Sequence, residues 1–359
     1  MGRGQANVPP LRWSLSIEQF IFFIGECAAT DTWQALVAHK GGEGNITMYD
    51  LKDHFIVPWT AGTGSSIALL MNSGYEEGYG DPVELMISHA WGGAAVETYN
   101  CLQNIVNHNG IPTTARIFFC TLSMYQPEDG AKGGLSIAEQ LTRRPFAVII
   151  DSKPKHGMHV VHTTVFEVYS RLWTVHEIDE AVVAGVQIFG TFDFYAFDLG
   201  KLRAIHEIDA SKAECRPEDR PALTQQIDER GGFHRLSRVI QEKRAVMLNA
   251  YEKFRAQFED ATDVNGHHAM GYPETKDRKR QFDWTQTEES DRPWHPCDSF
   301  AAYHYVSVDW DFSEKWSCAL QNVKKEFDIS SSELVRKMLP LGKRAYPFGL
   351  PSRVDLPLE

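Results

Sequence analysis

Trp173 and Glu177 stand four residues apart, just after a stretch rich in β-branched and aromatic residues (Val161, Val165, Phe166) gives way to a helical pattern. On a helix this spacing stacks the two side chains on one face, an indole wall beside a carboxylate. A carboxylate held near a sugar can stabilise an oxocarbenium-like charge or capture the sugar covalently. When the leaving group departs as a neutral molecule, little acid catalysis is needed, so one placed carboxylate is enough. The bland alternative is equally concrete: Trp173 anchors a core and Glu177 is a solvated helix residue.

A second group of polar residues ends the run Val83 to Trp91: Ser88, His89 and Trp91, followed by Gly92 and Gly93. His89 at a strand end also fits a packing role, and Cys120, inside another apolar run, reads as a buried core thiol. His156, His159 and His162 suggest a metal site at first sight, but in a strand a spacing of three sends side chains to opposite faces. The pair His267 and His268, and His295 with Cys297, lack further partners at zinc spacing. No metal and no cofactor is expected. The small-residue loop 60–66 has neither a P-loop lysine nor the third glycine of a dinucleotide fingerprint, so it is not read as a phosphate cradle.

These residues need elements to hold them. Residues 1–12 read as a lead-in, and apolar residues at helical spacing predict a helix over Trp13 to Val37 with Ser14 or Ser16 as cap. A second helical piece is expected around Met48 to Phe55. From Pro82 short apolar runs alternate with helical segments, the pattern of βα units on a parallel sheet. The runs predict strands over Val83 to Trp91, Ala115 to Leu122, Met158 to Thr164 and Val186 to Gly190, with their centres buried and mutually parallel. A short strand is expected near Ile208 to Cys215, and 146–150 fits either strand or buried helix. Helices are expected over 94–107, after Ser136 and Glu139 as a capping box, over the Trp173 segment, and over 232–249. Beyond Tyr251 the texture turns polar, with an edge strand expected at 303–312 and helices at 313–327 and 330–339. The division is therefore 1–81 as an N-terminal helical layer, 82–250 as an α/β domain, and 251–359 as a partly irregular α+β extension.

At 359 residues the chain can bury a large core, and its net charge of −12 argues against a nucleic-acid scaffold. The basic run 276–280 reads as a solvated linker or helix end. No apolar stretch is long enough to span a membrane, and the start of the chain lacks a signal-peptide pattern, which together with six scattered cysteines predicts a cytoplasmic protein with reduced thiols.

The run Ile87-Ser88-His89-Ala90-Trp91, the strand and loop from Cys120 to Gly130, and the segment from Tyr169 to Ile178 together resemble a Toll/interleukin-1 receptor (TIR) domain, of the kind predicted in unicellular algae. The resemblance covers about Pro82 to Leu248; this chain has Thr174 where many such domains have Cys. It implies a flavodoxin-like sheet with helices on both faces. It also implies one of two activities, cleavage of NAD at the nicotinamide-ribose bond or non-enzymatic assembly as a scaffold or adaptor. In the enzymes the glutamate of the Trp-to-Glu helix is the essential carboxylate, and Glu177 stands at that place. The expected substrate site is Trp173, Ser88, His89, Trp91, Tyr125 and Thr164, near the switch point of the sheet. The loop from Tyr125 to Gly134, rich in Gly and Pro, matches the variable loop of the family. It is expected to be mobile in an isolated chain and ordered by a second copy in a homo-oligomer. Phe20, Phe22, Phe23, Trp310 and Trp316 would supply apolar surface for assembly.

Overall fold

The computed structural model describes residues 4–74, 79–193 and 208–259. The elements expected beyond 259, the basic run, the late histidines, and Trp310 and Trp316 lie outside the described residues.

The segment read as one N-terminal helix is three elements: β1 (Leu15–Ser16), α1 (Ile17–Ala28) and α2 (Asp31–Lys40). Polar caps divide it. The Ser16 hydroxyl accepts the Gln19 N–H while Gln19 Oε1 accepts the Ser16 N–H, and Thr30 accepts the Trp33 N–H. Ser14 does other work, donating to the Asp81 carbonyl and accepting from Arg116 Nε. After these come α3 (Met48–Leu51), a π turn (Lys52–Ile56) that runs on into α4 (Val57–Thr60), and α5 (Ile67–Met71).

The sheet contains β2 (Leu85–Ser88), β3 (Arg116–Phe119), β4 (Met158–His162) and β5 (Ile188–Phe192) in the order β1-β3-β2-β4-β5. The last four in that order are mutually parallel, and β1 adds antiparallel to β3, Leu15 opposite Ile117. Helices link the strands: α6 (Ala95–Asn109), α7 (Cys120–Ser123), α8 (Ile137–Thr142), α9 (Pro145–Asp151) and α10 (Leu172–Ala184). Two more, α11 (Arg220–Glu229) and α12 (Gly232–Glu259), close the described chain. Pro145 at the first turn of α9 decides the ambiguous segment for helix.

Strand alternation assigns the two faces. Leu85, Ile87, Ile117, Phe119 and Val161 pack with Phe20, Ile24, Tyr99 and Leu102 on one side. Met86, Phe118, Met158 and Val160 pack with Ile149, Val175, Ile178 and Leu236 on the other. Burial on both faces is what a parallel sheet covered by helices requires, and it explains why these strands read as continuous apolar runs.

Several expectations change. Phe20 and Phe23 are buried and Phe22 packs against the same cluster, so they belong to the core and are not a surface for assembly. β5 is an edge strand: Phe189 is half-buried and Gln187, expected inside the strand, is exposed outside it. The strand expected at 208–215 is a 3-10 turn, Ala210–Lys212, with a single bridge between Arg171 and Glu214. α11, unforeseen, begins at a proline-containing turn after Asp219. Among the described residues no helix is long and apolar enough to cross a membrane.

Candidate functional site

β2 ends at Ser88, which is 1% exposed, and α10 crosses the same face of the sheet. The Ser88 hydroxyl donates to Glu177 Oε2 at 2.5 Å. Glu177 is itself 6% exposed. Burial pushes its carboxyl up to about 8; the Ser88 hydrogen bond opposes this, and the charge of Glu180 adds to it. At neutral pH the group is therefore a neutral acid in a low-dielectric niche. This overturns the solvated-helix reading of Glu177. It also brings together two residues 89 positions apart at the carboxyl end of a parallel strand, beside the point where the order turns from β2 to β3 on one side and from β2 to β4 on the other.

The other sequence candidates divide. His89 stacks on Phe119 with ring centroids 3.9 Å apart, and burial pushes it down to about 3, so it is a neutral imidazole. Half-buried Trp91 donates its indole N–H to Cys120 Sγ at 3.3 Å and meets Tyr49 edge to face. Cys120 does not lie inside β3 as expected. It opens α7 just past the strand end, half-buried, with Sγ 3.8 Å from His89 Nε2. Burial, with the nearby Glu177 carboxyl as a second cause, pushes its thiol up to about 12, so it is a soft apolar contact and a poor nucleophile at neutral pH. Ser88, His89, Trp91, Cys120 and Glu177 thus form one neighbourhood with a partly open, aromatic side. The clue to Cys120 was its place at the carboxyl end of a buried strand.

Three candidates serve the scaffold. Trp173 shares α10 with Glu177, yet its indole N–H donates to Asp219 Oδ2 at 3.0 Å and its ring packs against Phe146. It ties α9, α10 and the start of α11 together, which is an anchor's role. Thr164 is held by Glu97: its N–H donates to Oε2 at 2.6 Å and its hydroxyl to Oε1. Tyr125 is buried, with its hydroxyl on Asp129 and its backbone paired with the Gln140 side-chain amide in both directions.

The loop from Tyr125 to Gly134, expected to be mobile, is tied down within one chain. Asp129 Oδ2 accepts the Gly62 N–H at 2.6 Å, the Gly133 carbonyl accepts the Ala6 N–H at 3.0 Å, and the Gly64 carbonyl accepts the Gln5 N–H at 2.7 Å. Gly4 packs so closely on Gly133 that a Cβ there would meet its backbone at 2.7 Å. The loop 60–66 thereby spends an amide on a carboxylate of its own chain.

His159 and His162 do point to opposite faces: His159 Nδ1 pairs with Thr191 Oγ1 at 2.8 Å, and His162 Nε2 with the Tyr169 hydroxyl at 2.9 Å. Among the described residues no group of three or more His, Cys, Asp or Glu could hold a metal ion.

Compared with protein-family models, curated proteins and solved structures, the chain has no significant match.

Proposed function

We propose that the chain is a TIR-like NAD glycohydrolase that cleaves the nicotinamide-ribose bond, with Glu177 as the reacting carboxylate. The observation that carries the proposal is the buried Ser88–Glu177 pair at the carboxyl end of β2. A strongly perturbed acid at the mouth of an open parallel sheet is where a ligand and its chemistry are expected. The strand order supports the finer fold assignment: read without β1, it is second-first-third-fourth, the flavodoxin-like order that the TIR resemblance implies.

Glu177 meets the substrate as a neutral acid and must ionise to work. A cationic nicotinamide ring brought against Trp91 and Tyr49 favours that ionisation, since an opposite charge stabilises the carboxylate and its proton leaves to solvent. Once formed, the carboxylate, held by the Ser88 hydroxyl, stabilises the oxocarbenium-like charge on the ribose as nicotinamide leaves as a neutral molecule; water then adds to the ribose carbon and gives up a proton to solvent. Thr164, Tyr125 and Trp173 hold the surrounding loops and helices and need no contact with substrate.

The test is incubation of the full chain with NAD, following nicotinamide release across protein concentrations. Glu177→Gln should lower kcat/KM by more than about tenfold, above roughly 1.4 kcal/mol of transition-state stabilisation. In the wild type, kcat/KM should rise with pH through about 8 as the free carboxyl ionises. Release that rises faster than linearly with protein concentration supports self-association. A stable oligomer without nicotinamide release replaces the enzyme by a scaffold.

A further inference from the structure

Arg244, on α12, is 3% exposed, yet its guanidinium is poorly supplied with partners. Its Nη2 donates to Glu167 Oε2 at 2.6 Å, and its Cζ lies 4.9 Å from the centre of the Tyr169 ring. Its Nε is buried without a hydrogen-bond partner among the described residues. A guanidinium carries five donors, and leaving one buried and unpaired is unfavourable. Arg116 makes the contrast: the other buried arginine of the sheet region donates from Nε, Nη1 and Nη2 to Ser14 and Gln19. Arg116 is a complete structural tie, and Arg244 is not.

Among the described residues the carboxylate on Arg244 is that of Glu167, and it is placed as a substitute would be. Glu167 accepts the Tyr169 N–H on Oε1 at 3.2 Å and the Arg244 N–H on Oε2, so it bridges a backbone donor and a guanidinium with one anion. Its side chain is 44% exposed against 4% for Arg244, so it covers the arginine from the solvent side. Beneath it, Tyr169 is held in place by His162, whose Nδ1 in turn meets the Val160 carbonyl at 2.9 Å. The floor of this niche is buried and hydrogen-bonded, and its cover is a side chain 44% exposed.

Its position relates it to the Ser88–Glu177 pair. Ser88 lies in register with Val160, and His162 follows two residues later with its side chain on the same sheet face. At a rise of about 3.3 Å per residue, His162 sits roughly 7 Å further out along the carboxyl ends of the strands. A nucleotide whose ribose lies at Glu177 would extend its phosphates in this direction.

We propose that Arg244 and the Tyr169 backbone N–H form a phosphate subsite for the diphosphate of the ligand, which displaces the Glu167 carboxylate. The proposal deepens the NAD reading and rests on it for the identity of the ligand. The anion site itself can be tested alone. A tetrahedral phosphate offers several oxygens, enough to take Nη2, the unpaired Nε and the Tyr169 N–H together, the forked recognition that favours Arg over Lys.

Calorimetric titration of the full chain with pyrophosphate and with ADP-ribose, at low salt, decides it. Saturable binding of both is expected, weakened at least about tenfold by Arg244→Gln and several-fold by Arg244→Lys, which keeps the charge without the fork. Glu167→Gln, which removes the competing charge, should tighten binding. If pyrophosphate binds neither the wild type nor Glu167→Gln, or if Arg244→Lys and Glu167→Gln, each folded by circular dichroism, bind as the wild type does, the subsite is refuted. The two proposals fail separately. Arg244-dependent pyrophosphate binding without NAD cleavage keeps the anion site and removes the glycohydrolase. Where cleavage occurs, Arg244→Lys should raise KM for NAD and leave KM for nicotinamide riboside, which lacks phosphate, unchanged; an equal rise for both refutes the subsite.

Discussion

Replacing Glu177 by Gln changes the stability of the fold in a way that only the buried carboxyl can produce. In the folded chain that carboxyl is pushed up to about 8, while in the unfolded chain it titrates at its ordinary value of 4.5. Below pH 4.5 both states hold the proton and the fold has its full stability. Above 4.5 the unfolded chain loses its proton first, which draws the equilibrium toward unfolding, and the loss continues until the folded chain ionises at about 8. That interval is about 3.5 pH units, and at about 1.36 kcal/mol for each the upper limit is roughly 5 kcal/mol. The amide of Gln is nearly isosteric, cannot ionise, and keeps a carbonyl to accept the Ser88 hydroxyl. Glu177→Gln should thus be close to wild type at pH 5 and more stable by several kcal/mol at pH 9. Buried His89 and His162, pushed down to about 3, act in the opposite direction, but they are common to both proteins and cancel in the difference. Urea unfolding at several pH values between 5 and 9, with the slope checked for constancy, gives the two curves. A difference that does not change with pH would mean that Glu177 ionises near 4.5 in the fold, and the account of the site would fall.

Further outcomes follow from the same geometry. Ser88→Ala removes a hydrogen bond that favours the carboxylate, so the pH at which the stability loss levels off, and the midpoint of any pH-rate profile, should move above about 8. Gly157→Ala should destabilise by about 1–3 kcal/mol in thermal or urea unfolding, because Gly157 has φ 73 and a Cβ would run into the Gln187 backbone carbonyl. Trp173→Ala should cost about 3 kcal/mol of stability through the lost Phe146 and Asp219 contacts; once refolded at low temperature it should keep the pH response of Glu177, and loss of that response would return Trp173 to the site.

The parts of the fold legible in the sequence are those whose residues obey one period over several turns or strands. β2, β3 and β4 are buried on both faces and read as apolar runs, and the Ser136–Glu139 box marks the start of α8 without help from tertiary contacts. β1 was hidden because it has two residues and exists through its pairing with Ile117 and Arg116. Within the site, Ser88 and Glu177 were each visible, one at a strand end and one on a helix. Their meeting depends on the sheet order. Trp173 shares its helix with Glu177, but spacing along a helix gives only the approximate direction of a side chain, and its hydrogen-bond partner Asp219 lies 46 positions away. Tyr125 and Thr164 entered the expected substrate site through the family resemblance and the switch point of the sheet; their partners Asp129 and Glu97 were not legible in the sequence. Arg244 gave no signal at all, since one more cation in a long charged helix reads as surface.

The two-residue strand β1 has a consequence for aggregation. Without it, β3 would be the free edge of the sheet, an apolar run of Ile117, Phe118 and Phe119 with a row of unpaired backbone groups, which is a template for pairing between molecules. β1 covers that edge and stops after two pairs, and the chain turns at once into the capped helix α1, too short and too bent to accept another strand in its turn. Arg116 fastens this cover by gripping Ser14 on its inner side. Trimming the chain to begin at Ile17 would therefore bare a sticky edge, and the shortened protein should be recovered as insoluble or self-associated material even where its helices and remaining strands are intact.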